Sequence, residues 1–310
     1  MKSKGKLRKK IKVLLKVPGS TSNLGPGFDT LGLAVNLYLN LEAEPNDKLQ
    51  INVLGEGDEE IKREKDNLVY YSFQEYLKYV NEPCFPIKLS LKNEIPLKRG
   101  LGSSGAAIVG GLLIAREMAE KKVSNEELLS IAASIEGHPD NVTPALFGGL
   151  NVSCLIKNRV IFSRIELSKS IKLAAVIPDI NISTKKARAI LPKMVNFKDA
   201  VFNIQRVSLL INSFYFKDFD NMRFYFEDKL HQDYRKVFVP GFDKAVEMGM
   251  KAGALGVYLS GSGPTIMAFY RNKGNIVTKT IADVFNEKNI SWRIVYLKPV
   301  LEQTFRNIVT

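Results

Sequence analysis

A short glycine-rich segment, Gly100-Leu-Gly-Ser-Ser-Gly105, leads directly into an Ala- and Leu-rich stretch that ends near residue 119. The apolar stretch is typical of a buried helix, so the glycines lie at its N-terminus. Small residues there let a ligand approach the backbone, and the unpaired N–H groups of a first helical turn attract anions. The segment therefore predicts a phosphate-binding loop. A tight turn into a buried helix is the purely structural alternative.

The same six residues match G-x-G-x-x-G, the fingerprint of dinucleotide-binding folds, but their surroundings do not fit that fold. It needs a strand that runs straight into the glycines and a second strand that ends in an acidic residue about 20 positions later. Here Pro96 separates the preceding strand from the loop, and the next predicted element is a helix that begins at Ser124. The chain also contains no G-x-x-x-x-G-K-[ST] sequence. Phosphate binding through backbone amides remains the prediction.

Hydrophobic periodicity outlines the elements of the first half. It predicts strands at residues 11–17, 33–41, 49–53 and 87–91, and helices at residues 69–80, 103–119 and 124–137. Asn67 is a candidate cap for the first of these helices, and Ser124 with Glu127 forms a capping box for the third. The glycine- and proline-rich residues 18–29 predict a loop, and the sequence from 137 to about 165 is strand-like.

The second half predicts a separate unit. Strands are expected at residues 172–177, 256–259, 265–270 and 292–297, and helices at residues 199–214, 242–249 and 276–286. With one extra helix set aside, this order is β-α-β-β-α-β, the ferredoxin-like arrangement in which helices cover one face of an antiparallel sheet. A chain of 310 residues accommodates two domains. We expect an N-terminal domain at 1–168, in which residues 1–10 are a basic, disordered arm, and a ferredoxin-like domain at 169–310.

Composition narrows the classes of protein. Cys84 and Cys154 lie far apart and form no C-x-x-C pair, which argues against a disulfide framework or a zinc site and favours the reducing cytoplasm. No apolar run approaches the roughly 20 residues that span a bilayer, and the N-terminus lacks a signal-like core, so neither a membrane partner nor export is expected. The net charge of +13 would attract anions, but most basic residues are scattered and are expected to be solvated surface groups.

Four motifs resemble, in sequence order, those of the small-molecule kinase superfamily that contains galactokinase, homoserine kinase, mevalonate kinase and phosphomevalonate kinase. Pro96-Leu-Lys-Arg-Gly-Leu-Gly-Ser-Ser-Gly-Ala106 resembles its ATP loop, and Ser260-Gly-Ser-Gly-Pro-Thr265 resembles its third motif. Pro18-Gly-Ser-Thr-Ser-Asn-Leu-Gly-Pro-Gly-Phe-Asp29 and Glu136-Gly-His-Pro-Asp-Asn-Val-Thr-Pro-Ala145 are similar to the versions in the homoserine kinase branch. The resemblance implies an α+β, two-domain small-molecule kinase fold, with a ribosomal-protein-like βαβ domain that carries the ATP loop and a C-terminal ferredoxin-like domain.

The same resemblance implies sites for ATP and Mg²⁺. The residues expected at the nucleotide are Asn67, Pro96, Leu97, Lys98, Arg99, Gly100, Leu101, Gly102, Ser103, Ser104, Gly105 and Ala106. Ser104 and Glu136 would supply the hard oxygen ligands that Mg²⁺ prefers. The alternative for Glu136 is a solvated carboxylate at a helix end, and the alternative for Asn67 is a helix cap without a role at the nucleotide.

The branch that the motifs match phosphorylates the side-chain hydroxyl of L-homoserine, so the resemblance implies a pocket for a carboxylate, an ammonium and a hydroxyl. Arg188 and Arg235 match positions that bind the carboxylate, and Asp140 is the expected partner of the ammonium. The expected substrate residues are Asn23, Asp29, His138, Asp140, Thr184, Arg188, Arg235 and Gly261. Direct catalytic roles are expected for Asn23, Asp29, Ser104, Glu136 and Arg188. Whether a general base is used stays open, and Asn141 occupies the position where one would be sought.

Two other functions stay open at this point. One is a kinase of another small alcohol in the same superfamily, with a mevalonate- or shikimate-like substrate that would not need the same ammonium partner. The other is a basic nucleic-acid-binding protein of similar fold, which predicts RNA binding that weakens steeply with salt but leaves the glycine loop unexplained. We expect no nucleic-acid partner and, from the resemblance, a homodimer.

Overall fold

The computed structural model describes residues 11–309, so the predicted basic arm at residues 1–10 lies outside the described residues. The strands are β1 Lys12–Ser22, β2 Leu31–Pro45, β3 Gln50–Gly55, β4 Ile87–Asn93, β5 Leu150–Ile156, β6 Arg159–Ile165, β7 Lys172–Pro178, β8 Gly256–Leu259, β9 Ile266–Tyr270, β10 Trp292–Leu297 and β11 Phe305–Val309. The helices are α1 Leu68–Tyr79, α2 Ser103–Met118, α3 Asn125–Glu136, α4 Pro139–Phe147, α5 Thr184–Ala189, α6 Phe197–Phe216, α7 Gln232–Arg235, α8 Phe242–Lys251 and α9 Gly274–Asn286. Among residues 11–309, no helix combines the length and the apolar character that crossing a membrane requires.

The first sheet has seven strands in the order β11-β1-β2-β4-β3, with β5 paired to β2 and β6 paired to β5. Only the β3–β4 pair among the described strands is parallel. In β2 the predicted period-2 alternation is present along the second half, where Leu39, Leu41 and Ala43 are buried. Helix α2 packs against β1, α1, α3 and α4, and its buried side chains form the centre of the larger core. The glycine loop therefore begins a helix that is anchored on several sides.

The second sheet has four antiparallel strands in the order β10-β7-β9-β8. Helices α8 and α9 contact each other and the strands, and a separate apolar core lies between them and the sheet. This arrangement confirms the predicted ferredoxin-like order, with three additional helices between β7 and α8, namely α6, which the sequence predicted, and the short α5 and α7, which it did not. The end of this sheet at β8 faces the end of β1, and the two sheets meet there.

Three elements in or against the first sheet differ from the sequence prediction. β1 continues through Ser22 into the stretch predicted as a loop, because residues 19–22 pair with β2 after a register shift at Pro18. Helix α4, and not a strand, follows Gly137. Pro139 lies in its first turn, where a backbone N–H would have no partner within the helix. Pro144 lies inside the helix, and because proline is unusual there, the sequence did not indicate a helix. Residues 305–309, which were assigned to the second domain without a predicted element, form β11 and pair with β1 in the first sheet; they are exposed and show no core-directed alternation.

The two predicted N-caps are present. Asn67 Oδ1 accepts from the backbone N–H groups of Val69 and Tyr70, at 3.0 and 3.3 Å. Ser124 Oγ accepts from the backbone N–H of Glu127 at 3.1 Å. The Glu127 carboxylate accepts a hydrogen bond from the hydroxyl of Tyr79 at 2.6 Å, so α1 and α3 are joined at this point.

We expect Ser124→Ala to lower the free energy of unfolding by about 1 kcal/mol, because the cap of α3 is lost. Ser134→Ala is the matched control on the same helix, since Ser134 is exposed in the helix interior and alanine has the higher helix propensity. Urea unfolding followed by circular dichroism measures both values. Destabilisation by Ser134→Ala as large as that by Ser124→Ala would contradict the assigned start of α3.

Candidate active site

A cavity of about 430 Å³ lies where the two sheets meet. Its walls come from the end of β1, the residues before α2, the first turn of α2, the residues between α3 and α4, and the loop after β8. The predicted site residues that line it are Asn23, Asp29, Asn67, Pro96, Leu97, Lys98, Arg99, Gly100, Leu101, Gly102, Ser103, Ser104, Glu136, His138, Asp140, Thr184, Arg188, Arg235 and Gly261. Gly105 and Ala106, expected at the nucleotide, are buried and do not line the cavity, because α2 has already turned them towards the core; Ala107 lines it instead.

The glycine loop lies against the backbone of both sheets. Gly100 and Gly102 have φ angles of 72° and 73°, in the left-handed region that favours glycine. A Cβ atom on Gly100 would collide with the carbonyl oxygen of Ser260, and one on Gly102 would collide with the side chain of Ser20. Gly102 is the N-cap of α2 and has no side chain with which to cap it. The first amide groups of this 16-residue helix are thus available to an anionic ligand.

Beside this helix end, Ser104 Oγ donates a hydrogen bond to Glu136 Oε1 at 2.6 Å. Ser104 belongs to the first turn of α2, whereas Glu136 is the last residue of α3. Burial raises the pKa of the Glu136 carboxyl, and the hydrogen bond from Ser104 opposes the rise. Two hard oxygen atoms held this close at the mouth of a phosphate-binding loop fit the ligand preference of Mg²⁺.

In another part of the cavity wall, Arg188 forms two hydrogen bonds with the carboxylate of Asp29, from NH1 to Oδ2 at 3.0 Å and from NH2 to Oδ1 at 2.7 Å. Burial alone would lower the pKa of Arg188, but the hydrogen bonds and charge of Asp29 outweigh it and raise that pKa. The backbone N–H of Asp29 donates to Asn23 Oδ1 at 3.0 Å, and Asn23 Nδ2 donates to the Gly261 carbonyl at 3.1 Å. The first and the last of the four predicted motif regions, together with Arg188, therefore meet within a few ångströms.

His138 and Asp140 form a buried pair beside these residues, through His138 Nδ1 and Asp140 Oδ1. Burial lowers the pKa of His138, but the hydrogen bond and charge of Asp140, with the charges of Asp29 and Glu136, outweigh it and raise that pKa. His138, Asp140 and Asp29 could also hold a metal ion, since their ligand atoms lie within 4.8 Å of one another. Because Arg188 already pairs with Asp29, and Mg²⁺ prefers oxygen to imidazole nitrogen, Ser104 and Glu136 fit Mg²⁺ better.

Arg235 is almost completely buried and still lines the cavity. Its Nε donates to the Ala187 carbonyl at 3.1 Å, and its NH1 donates to the Gly261 carbonyl at 3.0 Å. Burial and, after it, the charge of Arg188 lower the pKa of Arg235 to about 10, so the guanidinium stays charged at neutral pH. The cavity thus contains two guanidinium groups beside several carboxylates.

Some lining residues were absent from the predicted set. Asn141 bonds α4 to β1, because its Oδ1 accepts from Ser20 Oγ at 2.8 Å and its Nδ2 donates to Ser22 Oγ at 3.2 Å. Ser22, Asn141 and Ser262 lie inside the quoted motifs, so the motifs themselves contained the signal. At the other end, residues 60–62 and Asp66 line the cavity next to Asn67, and only their position before that residue pointed to them. Asn67 Nδ2 donates to the Lys62 carbonyl at 2.7 Å, which holds this segment against the cap of α1.

Comparison with known proteins agrees with this architecture. The family model described as GHMP kinases N terminal domain matches residues 67–149, and the one described as GHMP kinases C terminal matches residues 211–284. The homoserine kinase of Caldanaerobacter subterraneus subsp. tengcongensis is 44% identical over 288 residues, 92% of either chain. That of Petrotoga mobilis is 45% identical over 256 residues, which cover 82% of this chain and 83% of the relative.

Solved structures give the same result. The crystal structure of homoserine kinase from Cytophaga hutchinsonii superposes with a TM-score of 0.82 at 26% identity, and the match covers 98% of each chain. The L. major mevalonate kinase shares the fold, with a TM-score of 0.68 at 18% identity over 93% of this chain and 97% of that one. The two homoserine kinases matched by sequence are 44 and 45% identical to this chain, whereas the mevalonate kinase is 18% identical and shares only the fold. The chain belongs to the homoserine kinase family of the GHMP kinases.

Proposed function

We propose that this protein transfers the γ-phosphoryl group of ATP to the side-chain hydroxyl of L-homoserine. The observation that supports the proposal is a single cavity that joins the open N-terminus of α2 to a cluster of two guanidinium groups and two carboxylates. A nucleotide polyphosphate suits the first part, and a small zwitterion with a reactive hydroxyl suits the second. Relatives named homoserine kinase, at 44 and 45% identity, agree with this assignment.

The nucleotide is assigned to the half of the cavity near α2. Its phosphates lie against the amide groups of the glycine loop, and its base lies towards Asn67. Ser104 and Glu136 would hold Mg²⁺, which would supply positive charge to neutralise the phosphates. The role of the chain itself here is positioning, because α2 is fixed in the core and its amides point at one place.

The acceptor is assigned to the half near Asp29. Its carboxylate binds Arg188 and Arg235, its ammonium binds Asp140 with Asp29 nearby, and Asn23, His138, Thr184 and Gly261 complete the pocket. Mevalonate has a carboxylate and a hydroxyl but no ammonium, so a mevalonate carboxylate that took Arg188 would leave Asp29 without a cationic partner. This difference favours an amino acid over the other small alcohols of the superfamily.

No general base is assigned. Among the described residues, the three carboxylates at the reacting end already have partners, since Asp29 pairs with Arg188, Asp140 with His138 and Glu136 with Ser104. Asn141 is an amide whose oxygen and nitrogen bond to Ser20 and Ser22. Phosphoryl transfer with a loose transition state needs mainly alignment of the hydroxyl with the γ-phosphate, and Asn23 and Asp29 would supply that alignment.

Cytoplasmic location is part of the proposal, because both cysteines are free and exposed, as suits a reducing compartment. A homodimer stays a prediction of the family resemblance.

The proposal predicts the substrate preference. Purified protein with Mg-ATP should release ADP in the presence of L-homoserine, with little turnover of mevalonate, shikimate or galactose, because only homoserine supplies both charges that the pocket accommodates. A coupled ADP-release assay over this panel measures the preference, and phosphorus NMR identifies the product. Comparable kcat/KM values for all four alcohols would refute the assignment.

The metal assignment predicts the behaviour of Glu136→Gln. Loss of the charged ligand should lower kcat by roughly 100-fold or more and raise the Mg²⁺ concentration needed for half-maximal rate. Glu126→Gln removes a carboxylate from the exposed start of the same helix and serves as the control, with kcat within about twofold of the original. An unchanged Mg²⁺ requirement in Glu136→Gln would remove this residue from the metal site.

The carboxylate assignment predicts that Arg188→Ala raises KM for homoserine by about 10- to 100-fold, as loss of a charged hydrogen bond does. Lys185→Ala removes the same charge from the same short helix, but Lys185 is exposed and does not line the cavity. Initial-rate kinetics with either substrate varied should give a near-normal KM for ATP in both variants. Equal KM values for homoserine in the two variants would show that charge alone, and not this contact, matters.

A further inference from the structure

His231 is a fully buried residue for which none of the assignments above has a role. It is the N-cap residue of α7, and its two ring nitrogens contact two different segments of the acceptor pocket. Nε2 lies 2.8 Å from the carbonyl oxygen of Gly25, which belongs to the turn that carries Asn23 and Asp29. Nδ1 lies 3.3 Å from NH1 of Arg235. The ring therefore joins the first motif of the chain to the buried arginine of the pocket.

These two contacts require one protonation state. Burial lowers the pKa of His231, and the Arg235 charge lowers it further against the opposing charge of Asp228. A neutral imidazole has one donor and one acceptor nitrogen. Nε2 faces a carbonyl oxygen and must donate, so Nδ1 has the lone pair that accepts from Arg235. The Asp228 carboxylate lies 3.7 Å from Nε2 and instead accepts from the backbone N–H groups of His231 and Gln232, at 2.8 and 2.6 Å.

The contact with His231 helps to fix the direction of the Arg235 guanidinium. Nε donates to Ala187, and NH1 donates to Gly261 and to Nδ1 of His231. Within the described residues these are its hydrogen bonds, so NH2 keeps both of its N–H donors for a ligand in the cavity. Without the acceptor at Nδ1, one NH1 hydrogen would have no partner in a buried place, and the guanidinium would lose one of the three contacts that fix its direction.

The ring of Phe28 holds the imidazole from the other side. The two rings are stacked, with centroids 5.3 Å apart and planes inclined by 25°. The guanidinium carbons of Arg235 and Arg188 lie 5.1 and 5.5 Å from the centre of the same phenyl ring. Phe28 thus contacts the imidazole and also both like-charged guanidinium groups, which its π face attracts.

We propose that His231 is a positioning residue for the acceptor: its ring sets the direction of Arg235 and ties it to the turn that carries Asn23 and Asp29. It acts through Arg235 and does not touch the substrate. The inference rests on the proposed function, because it assigns Arg235 to the substrate carboxylate. Its specific consequence is that loss of the ring weakens binding of the amino acid and leaves nucleotide binding unchanged, since the side-chain hydrogen bonds and ring stacking of His231 involve Gly25, Phe28 and Arg235 and not α2.

A purely structural role for His231 would have a different signature, and Gln232 supplies the comparison. Gln232 is equally buried and hydrogen-bonded, because its Nε2 donates to Phe226 and its Oε1 accepts from Leu259. It does not line the cavity, and its side-chain hydrogen bonds do not involve Arg235. Gln232→Leu should therefore destabilise the fold as His231→Leu does, but without the effect on the amino acid.

The experiment is a double-mutant cycle on the full-length protein with homoserine and ATP varied separately. We expect His231→Leu to raise KM for homoserine by about tenfold or more, with KM for ATP and kcat within about threefold. His231→Asn, which keeps an acceptor oxygen near the place of Nδ1, should recover part of the loss, and Gln232→Leu should leave KM for homoserine within about twofold. In an Arg235→Lys background, His231→Leu should add less than about a threefold rise.

The inference is overturned if Gln232→Leu raises KM for homoserine as much as His231→Leu, or if the full rise persists in the Arg235→Lys background. Should His231→Leu fail to fold, His231→Asn replaces it in the cycle. The unmodified protein is assayed in the same series, and absence of turnover with homoserine would refute the proposed function by itself. In that event a crystal structure of His231→Leu, or of His231→Ala if the leucine variant does not fold, decides the inference: an Arg235 that has left the Gly261 carbonyl supports it, and one that has kept its place refutes it.

Discussion

The geometry of the cavity depends on the buried end of β1, where short hydroxyl side chains and backbone groups join the two sheets. The backbone N–H of Ser20 donates to the Leu101 carbonyl at 3.0 Å, and the N–H of Gly261 donates to the Ser22 carbonyl at 3.1 Å. Thr21 Oγ1 and Ser260 Oγ form a hydrogen bond with each other at 2.8 Å, and Ser260 Oγ also donates to the Gly100 carbonyl at 2.6 Å. Because these groups are shielded from water, each bond is costly to break. The glycine loop and the loop after β8 are therefore positioned by the same strand end.

This junction explains why so many charges can face one small space. The two guanidinium groups would repel each other if they were alone, and Arg188 does lower the pKa of Arg235. Asp29 compensates Arg188 through two hydrogen bonds, and backbone carbonyls of Ala187 and Gly261 receive the donors of Arg235. Fixed hydrogen bonds, and not mobile water, hold these charged groups in place. The electrostatic field of the pocket is therefore oriented before a ligand binds.

The sequence predicted most of the fold because period-2 and helical patterns matched their elements, as in β2 and α9. It failed where tertiary pairing overrides local preference. Residues 19–22 look like a turn but are held in β1 by β2, and β11 is an edge strand recognisable only from its partner. Most of the candidate site was predictable from motif residues. The partnership of Arg188 with Asp29, the orientation of Gly105 towards the core and the place of His231 were not, because each depends on contacts between residues far apart in the chain.

The Asp29–Arg188 pair gives a physical reason for selecting an amino acid. A ligand with a carboxylate alone would take Arg188 and leave Asp29 as an uncompensated carboxylate in a partly buried place, which is costly. A zwitterion brings an ammonium together with its carboxylate, so each protein charge exchanges one partner for another of the same sign. As many charges are paired after binding as before it, so binding does not include the cost of an unpaired buried charge. On the proposed function, Asp29 and Arg188 thus compensate each other in the free protein, as the two charges of the substrate would when it is bound.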